Sequence, residues 1–407
     1  MSTRRLVIVG AGQSAAVATR TLRRRGYDGH ITIVGDEPER PYQRPPLSKE
    51  YLTASDESGL YLLPEDWTAG QDVEVRTDAR AIKISSADGS VLLKDGSTLP
   101  ADQVLLSTGG SPRRLPDAHG DRILYLRTKA DADAVRDRLA PGARLVVIGA
   151  GFIGAEVASS GRQLGAEVTI LEAAPVPLQR VLGERLGAAC ARLHLDAGVD
   201  LRTGVTVTAV TQHGDEVVIS TSDGDFVADV VVVGIGITPN DDIARASGIA
   251  TDNGILVDEH CRTSMENVYA AGDVANHYHP LFKTRMRVEH FDNANKQAAA
   301  AANNMLGRST VFDDPHWFWS DQYDTNLQYV GHAGPEDRLV LRGSTEDPEW
   351  SAFFLRDGAL RASFAVNRAE DIMVARELIS MQLPVKSAVL ADTSIELAEI
   401  LEDMWPR

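Results

Sequence analysis

Cysteine is nearly missing. Only Cys190 and Cys261 occur in 407 residues. Two thiols so far apart exclude a disulfide framework and a cysteine-based zinc site, and both read as small buried hydrophobes. Positive charge is short as well: 41 Lys and Arg against 58 Asp and Glu leave a net charge of −17. That balance argues against nonspecific nucleic-acid binding. No apolar run approaches the ~20 residues that a membrane span needs. The opening "MSTRRLVIVGAG" passes directly into a strand and a glycine turn, so no signal peptide is expected. A reducing cytoplasm fits the scarce cysteine. The remainder is ordinary for a globular chain, with 43% hydrophobic and 24% charged residues. A chain this long is expected to form two or three domains.

One turn occurs twice. "RLVIVGAGQSAA" (5–16) and "RLVVIGAGFIGAE" (144–156) are near copies. Each begins with a β-branched run, as a buried parallel strand does. Gly10 and Gly12, then Gly149 and Gly151, allow a tight turn and let a pyrophosphate approach the backbone. The third position is Ala15 in one copy and Gly154 in the other. Both are small, so a helix packs close on its strand and its first N–H groups face the phosphates. A further strand follows each copy, "HITIVGDE" (30–37) and "EVTILE" (167–172). An acid there suits a ribose hydroxyl. Asp36 is the choice in the first copy, with Glu37 as its alternate, and Glu172 in the second.

Two such sites in one chain suggest a flavin beside a nicotinamide. Ala173 and Ala174 follow Glu172, where a 2′-phosphate would need a cation. The carboxylate would also repel that phosphate, so NADH is favoured over NADPH. "VLLSTGGSP" (104–112) reads as a strand leaving the first domain. "VVVVGIGITPN" (230–240) closes the second, and its Gly236 is placed with the NAD site. "NVYAAGDVAN" (267–276) puts Asp273 at an expected helix start, assigned to FAD.

"RPPLSK", "STGG", "YLRT", "GAGFIGAE", "AAGDVA" and "WFWSDQYDTNLQYVG" follow the first "GAG" in that order. With these motifs the whole chain resembles the FAD-dependent ferredoxin reductases coupled to oxygenases, the putidaredoxin reductase and biphenyl dioxygenase reductase group. The resemblance implies an α/β fold of glutathione-reductase-like architecture. It has two Rossmann-like dinucleotide-binding domains, for FAD and NAD, plus a smaller α+β C-terminal domain. An FAD domain from 1–112 and 241–318 would hold an inserted NAD domain at 113–240, with 319–407 following. In the last stretch, "LQYVGHAG", "RLVLRG", "WSAFFLRDG" and "ASFAVN" read as strands and "AEDIMVARELISM" (369–381) as a helix.

The same resemblance assigns the remaining residues. Lys49, stiffened by Pro45 and Pro46, would lie beside the flavin ring and pair with Glu156, because a buried lysine needs a partner. Arg127 and Phe291 would contact non-covalent FAD. Trp319 would stack near the ring and the docking face. Trp317 is read as structural, on the ground that alternate residues of an extended segment point opposite ways. NADH delivers a hydride, a [2Fe-2S] ferredoxin takes single electrons, and FAD mediates. The ferredoxin would feed a cytochrome P450 or a ring-hydroxylating dioxygenase.

Related disulfide reductases carry cysteine early in the FAD domain. This chain has none before Cys190, so thiol chemistry is not expected. "HYHP" (277–280) reads as a solvated loop, and no metal is assigned. Ferredoxins are acidic, so docking needs a local basic patch; "KTRMR" (283–287), Arg308 and "RTLRRR" (20–25) are candidates. Within the fold, a rubredoxin or monodehydroascorbate reductase stays open. Outside it, so does a flavoprotein that senses NADH, or a plain dinucleotide-binding regulator.

Overall fold

Strands that bury both faces organise the chain. The computed structural model describes residues 5–404 and groups them into two compact units. The first comprises 5–43, 57–111 and 237–316, and the second 44–56, 112–236 and 317–404.

The first unit is built on a parallel five-stranded sheet. Its order is Val268–Ala270, Gln103–Leu106, Arg5–Val9, His30–Val34, Val73–Arg76. Leu6 and Ile8 enter one hydrophobic cluster, and Val7 and Val9 enter another. This is why the first strand is apolar throughout instead of alternating. The helices Gln13–Arg24 and Phe291–Met305 supply Ala15, Ala18, Leu22, Ala298, Ala301 and Met305 to the first of these clusters.

The second unit repeats the plan. Its parallel sheet runs Asp200–Thr203, Glu167–Glu172, Arg144–Ile148, Val230–Val233, Ile123–Tyr125. In both sheets the strand leading into the glycine turn is central. Leu145 and Val147 pack on one side, and Val146 and Ile148 on the other.

The C-terminal part forms an antiparallel sheet in the order Trp317–Gln322, Thr325–Gly331, Ala359–Val366, Trp350–Arg356, Arg338–Arg342. The helix Ala369–Met381 occupies the stretch expected from the sequence. The expected fold class is therefore present: two Rossmann-like sheets and an α+β C-terminal domain. Among the described residues, no helix is long and apolar enough to cross a membrane.

Two local expectations need correction. Asp273 does not start a helix; it lies in a turn leading into the strand Ala275–His279. The segment "ANHYH" buries His277 and His279 on one face and exposes Tyr278 between them, so a strand wins. For the same reason "HYHP" is not a solvated loop: His277 and His279 are 1% and 0% exposed.

Candidate active site

Both glycine turns have the shape a pyrophosphate needs. Gly10 has φ +105°, and a Cβ there would lie 2.2 Å from the Ser107 carbonyl oxygen. Gly149 matches it, with φ +102° and 2.5 Å to the Gly234 carbonyl. Only glycine meets both demands. At Gly12, by contrast, a Cβ would meet no described atom within 4 Å, and at Gly151 only the Gly234 oxygen at 4.0 Å. That open side lies where each helix begins. Gly12 and Gly151 occupy the N-cap positions, with no capping side chain and no acid in the first turn. The helix N–H groups are thus presented to an anion. Ala15 is fully buried, and a Cβ at Gly154 would strike the Gly149 oxygen at 2.1 Å. These cradles fit the two dinucleotides that the fold implies.

The two acids are not equivalent in register. Gly10 N–H donates to the Val34 carbonyl, and Gly149 N–H to that of Leu171. The next position is Gly35 in the first copy and Glu172 in the second. Glu172 is pinned beside its own turn, accepting from Ala150 N–H at 2.6 Å and Ala174 N–H at 2.7 Å. Asp36 is exposed one residue farther on. The Glu37 carboxylate accepts from the Tyr42 hydroxyl at 2.5 Å.

Within the first unit, other assigned residues gather near the first turn. A Cβ at Gly272, next to Asp273, would lie 2.5 Å from Ser14 Oγ. Ser14 itself donates to the Ala294 carbonyl at 3.1 Å, in the first turn of the helix that Phe291 begins. The turn at 10–15, the turn at 272–273 and the start of the helix at 291 are therefore neighbours.

In the second unit the "RPPLSK" segment is a single 3₁₀ turn, Pro45–Ser48. Lys49 stands at its junction with the helix Glu50–Ala54. Lys49 Nζ lies 2.9 Å from Glu156 Oε2 and 3.2 Å from the Pro45 carbonyl. Glu156 is 3% exposed. It also accepts from Ser48 Oγ at 2.5 Å and, on its other oxygen, from Ser320 Oγ at 2.7 Å. A buried carboxylate is tolerated because a cation and two hydroxyls satisfy it. Sequence reasoning missed the two serines. Ser48 was visible inside its motif, and Ser320 lies beside Trp319, but neither spacing announces a common partner.

Arg127 sits just before the capping box of the helix Lys129–Arg136, and its carbonyl accepts from the Arg44 guanidinium at 2.6 Å. Gly236 lies in the exposed loop after Val230–Val233, with φ +99°, and its carbonyl accepts from Arg113 N–H at 2.9 Å. Trp319 and Trp317 require a correction. They are two apart on one strand, so they share a face, and their rings stack with centroids 5.3 Å apart and planes at 21°. The rings do not point opposite ways.

"KTRMR" is less available for docking than its charge suggests. The Arg287 side chain is 7% exposed and paired with Glu289 at 2.7 Å, and Arg285 donates to two backbone carbonyls. Both cysteines are buried, and burial pushes the Cys190 thiol up to about 12 and that of Cys261 higher still. Neither forms a thiolate near neutrality.

Comparison with known proteins agrees with this picture. Residues 4–298 match the model of the pyridine nucleotide-disulphide oxidoreductase family, and residues 317–401 match that of the reductase C-terminal domain. The chain is 40% identical over 406 residues to the ferredoxin–NAD(+) reductase component of the anthranilate 1,2-dioxygenase system of Burkholderia cepacia, covering 98% of this chain and 100% of the relative. It is 38% identical to putidaredoxin reductase of Pseudomonas putida, covering 97% and 96%. The reductase in the crystal structure of the covalent putidaredoxin reductase–putidaredoxin complex superposes with a TM-score of 0.95 at 37% identity, covering 98% of each chain. By these matches and by its two glycine-turn sheets, the chain belongs to the pyridine nucleotide-disulphide oxidoreductase family and carries a reductase C-terminal domain.

Proposed function

We propose that the protein is an NADH-dependent flavoprotein reductase that passes electrons through FAD, one at a time, to a [2Fe-2S] ferredoxin serving a cytochrome P450 or ring-hydroxylating oxygenase. The observation that carries this reading is the buried Glu156 carboxylate, held by Lys49, Ser48 and Ser320 in a family member without an accessible thiol. Such a site is polar and fixed but has no thiol, which suits electron transfer rather than disulfide chemistry. Full-length likeness to reductase components of oxygenase systems supports the same acceptor.

In this reading the 1–112 and 241–318 segments bind FAD, 113–240 binds NADH, and 319–407 is the C-terminal domain. Gly10, Gly12 and Ala15 hold the FAD pyrophosphate, Asp36 its ribose, and Asp273, Arg127 and Phe291 other parts of it. Gly149, Gly151, Gly154 and Gly236 hold NADH, and Glu172 accepts from its ribose. FAD, when bound, accepts a hydride and releases single electrons. Lys49 is the cation near its ring, and Glu156 fixes the position of that cation. Trp319 lines the path to the ferredoxin. A cytoplasmic location goes with this reading.

The test is NADH-driven cytochrome c reduction by the purified yellow protein, with and without a host [2Fe-2S] ferredoxin. Reduction should depend on the ferredoxin. NADH should exceed NADPH by roughly 100-fold, since Glu172 leaves a 2′-phosphate unpaired and repelled. Flavin bleaching by NADH with no transfer to any host ferredoxin would refute the proposed acceptor. Equal use of the two nucleotides would refute the role of Glu172.

A further inference from the structure

Three imidazoles meet in the interior of the first unit. His277 and His279 lie on one face of the strand Ala275–His279, and His316 comes from a distant part of the sequence. Their exposures are 1%, 0% and 5%. One ring nitrogen from each lies within 4.8 Å of the others. Ring centroids are 4.8 to 5.5 Å apart. Phe312 packs edge-on against His277, and Phe282 lies against His279.

The hydrogen bonding of His277 is incomplete. Neither nitrogen of the His277 ring makes a hydrogen bond of ordinary geometry, the Ala275 carbonyl giving only a weak contact. A neutral imidazole carries one N–H and one lone pair, and burying both without partners is unfavourable. His279 Nε2 lies 3.0 Å from the Asp314 carbonyl oxygen. Metal-binding histidines are commonly oriented this way, donating one N–H to a carbonyl and turning the other nitrogen inward. The Met286 thioether sulfur lies 3.0 Å from His316 Nε2, which places a soft donor at the edge of the cluster.

We propose that His277, His279 and His316 form a binding site for a single transition-metal ion, and that the ion is soft and singly charged, namely Cu(I). The three ligands are neutral, and among the described residues no carboxylate or thiolate joins the cluster. A singly charged ion therefore costs less to desolvate there than a divalent one. Imidazole and thioether donors together suit Cu(I). Ligand nitrogens around an ion at about 2.0 Å stand roughly 3.3 Å apart. Rotations of the rings that move each nitrogen by less than about 1 Å close the set. Phe312 and Phe282 pack against the rings and keep the cluster buried. The cluster shares no residue with those assigned above to the flavin and the nicotinamide, and binding requires no change of oxidation state.

The experiment uses the flavin-loaded protein, stripped with a chelator and kept anaerobic. Cu(I) is delivered as its bicinchoninate complex, and its withdrawal is followed by the loss of that complex's absorbance. Zn(II) is titrated in parallel, and thermal unfolding is recorded with and without each ion. One equivalent of Cu(I) should bind and raise the melting temperature by a few degrees, as any ligand of the native state does. His316→Ala and His277→Phe should each weaken binding by at least about 100-fold, comparable to the loss when a group one step removed from a metal is deleted. His277→Phe retains an aromatic ring against Phe312, so its fold is kept while a ligand is lost. No stoichiometric Cu(I) binding, or equal binding by the folded His277→Phe variant, would overturn the site. One equivalent of Zn(II) with no Cu(I) would overturn the choice of ion.

Discussion

Lys49 Nζ stands 2.9 Å from Glu156 Oε2, and the two side chains are 15% and 4% exposed. The pair joins a segment stiffened by two prolines to the helix Phe152–Gln163 that follows the second glycine turn. In Lys49→Met the carboxylate keeps its two serine donors but loses its cation. Stopped-flow bleaching of the flavin by NADH should slow on the order of 100-fold, the usual cost of removing one well-placed electrostatic group. The flavin midpoint potential should move with it. Wild-type bleaching rates and an unchanged potential would remove Lys49 from the site.

Gly10 and Gly12 separate two requirements that a glycine motif normally merges. Gly10→Ala places a methyl 2.2 Å from a backbone oxygen at φ +105°. It should destabilise the fold by about 2–4 kcal/mol, a strained and overpacked position, visible as a lower urea midpoint of the apoprotein. Gly12→Ala meets no described atom within 4 Å, and its φ of −106° suits any residue. Its apoprotein should unfold like wild type, while FAD affinity falls by at least about tenfold. A Gly12→Ala protein that retains FAD normally would mean that the phosphate does not approach there.

What the sequence revealed depended on how local the physical demand was. The glycine turns were legible because Gly10 and Gly149 answer a backbone constraint within a few residues. The strands beside them were legible because burial of both faces leaves an unbroken apolar run. The serines on Glu156 were not legible, since Ser48 and Ser320 converge only after folding. His316 was hidden from His277 and His279 for the same reason. Asp273 is locally ambiguous because a polar residue after glycine marks a helix cap and a turn before a strand equally well. The tryptophans obey strand periodicity, in which residues two apart share a face.

That shared face makes the tryptophans a coupled unit. Trp317 Nε1 donates to Gln328 at 3.0 Å, and Trp319 Nε1 to Asp321 at 3.1 Å, so each ring is fixed at its edge while the faces stack. Trp317→Ala should therefore lower ferredoxin-dependent turnover in the same direction as Trp319→Ala. A double-mutant cycle on stability should give a coupling of about 0.5–1.5 kcal/mol. Strictly additive stabilities, or a Trp317→Ala variant with wild-type turnover, would show that Trp319 acts alone.

His194 sets a pH limit on stability. It is fully buried in the helix Gln179–Asp196, with Nδ1 2.8 Å from the Tyr323 hydroxyl. Burial lowers its pKa from 6.5 to about 4. The unfolded chain therefore takes up a proton near pH 6.5, and the folded chain does so only near pH 4. Between these values the unfolded state binds more protons, so stability falls as the pH falls. The contribution is fully present above pH 6.5 and is lost on the way down to pH 4. At about 1.4 kcal/mol per pH unit, wild type should lose roughly 2 kcal/mol from this group between pH 7 and pH 5. His194→Gln keeps a polar partner for Tyr323 but has no proton to gain. Its stability is set lower overall, yet it should lose that much less across the same interval, as measured by urea unfolding. Parallel pH profiles for the two proteins would show that His194 is not held neutral by burial.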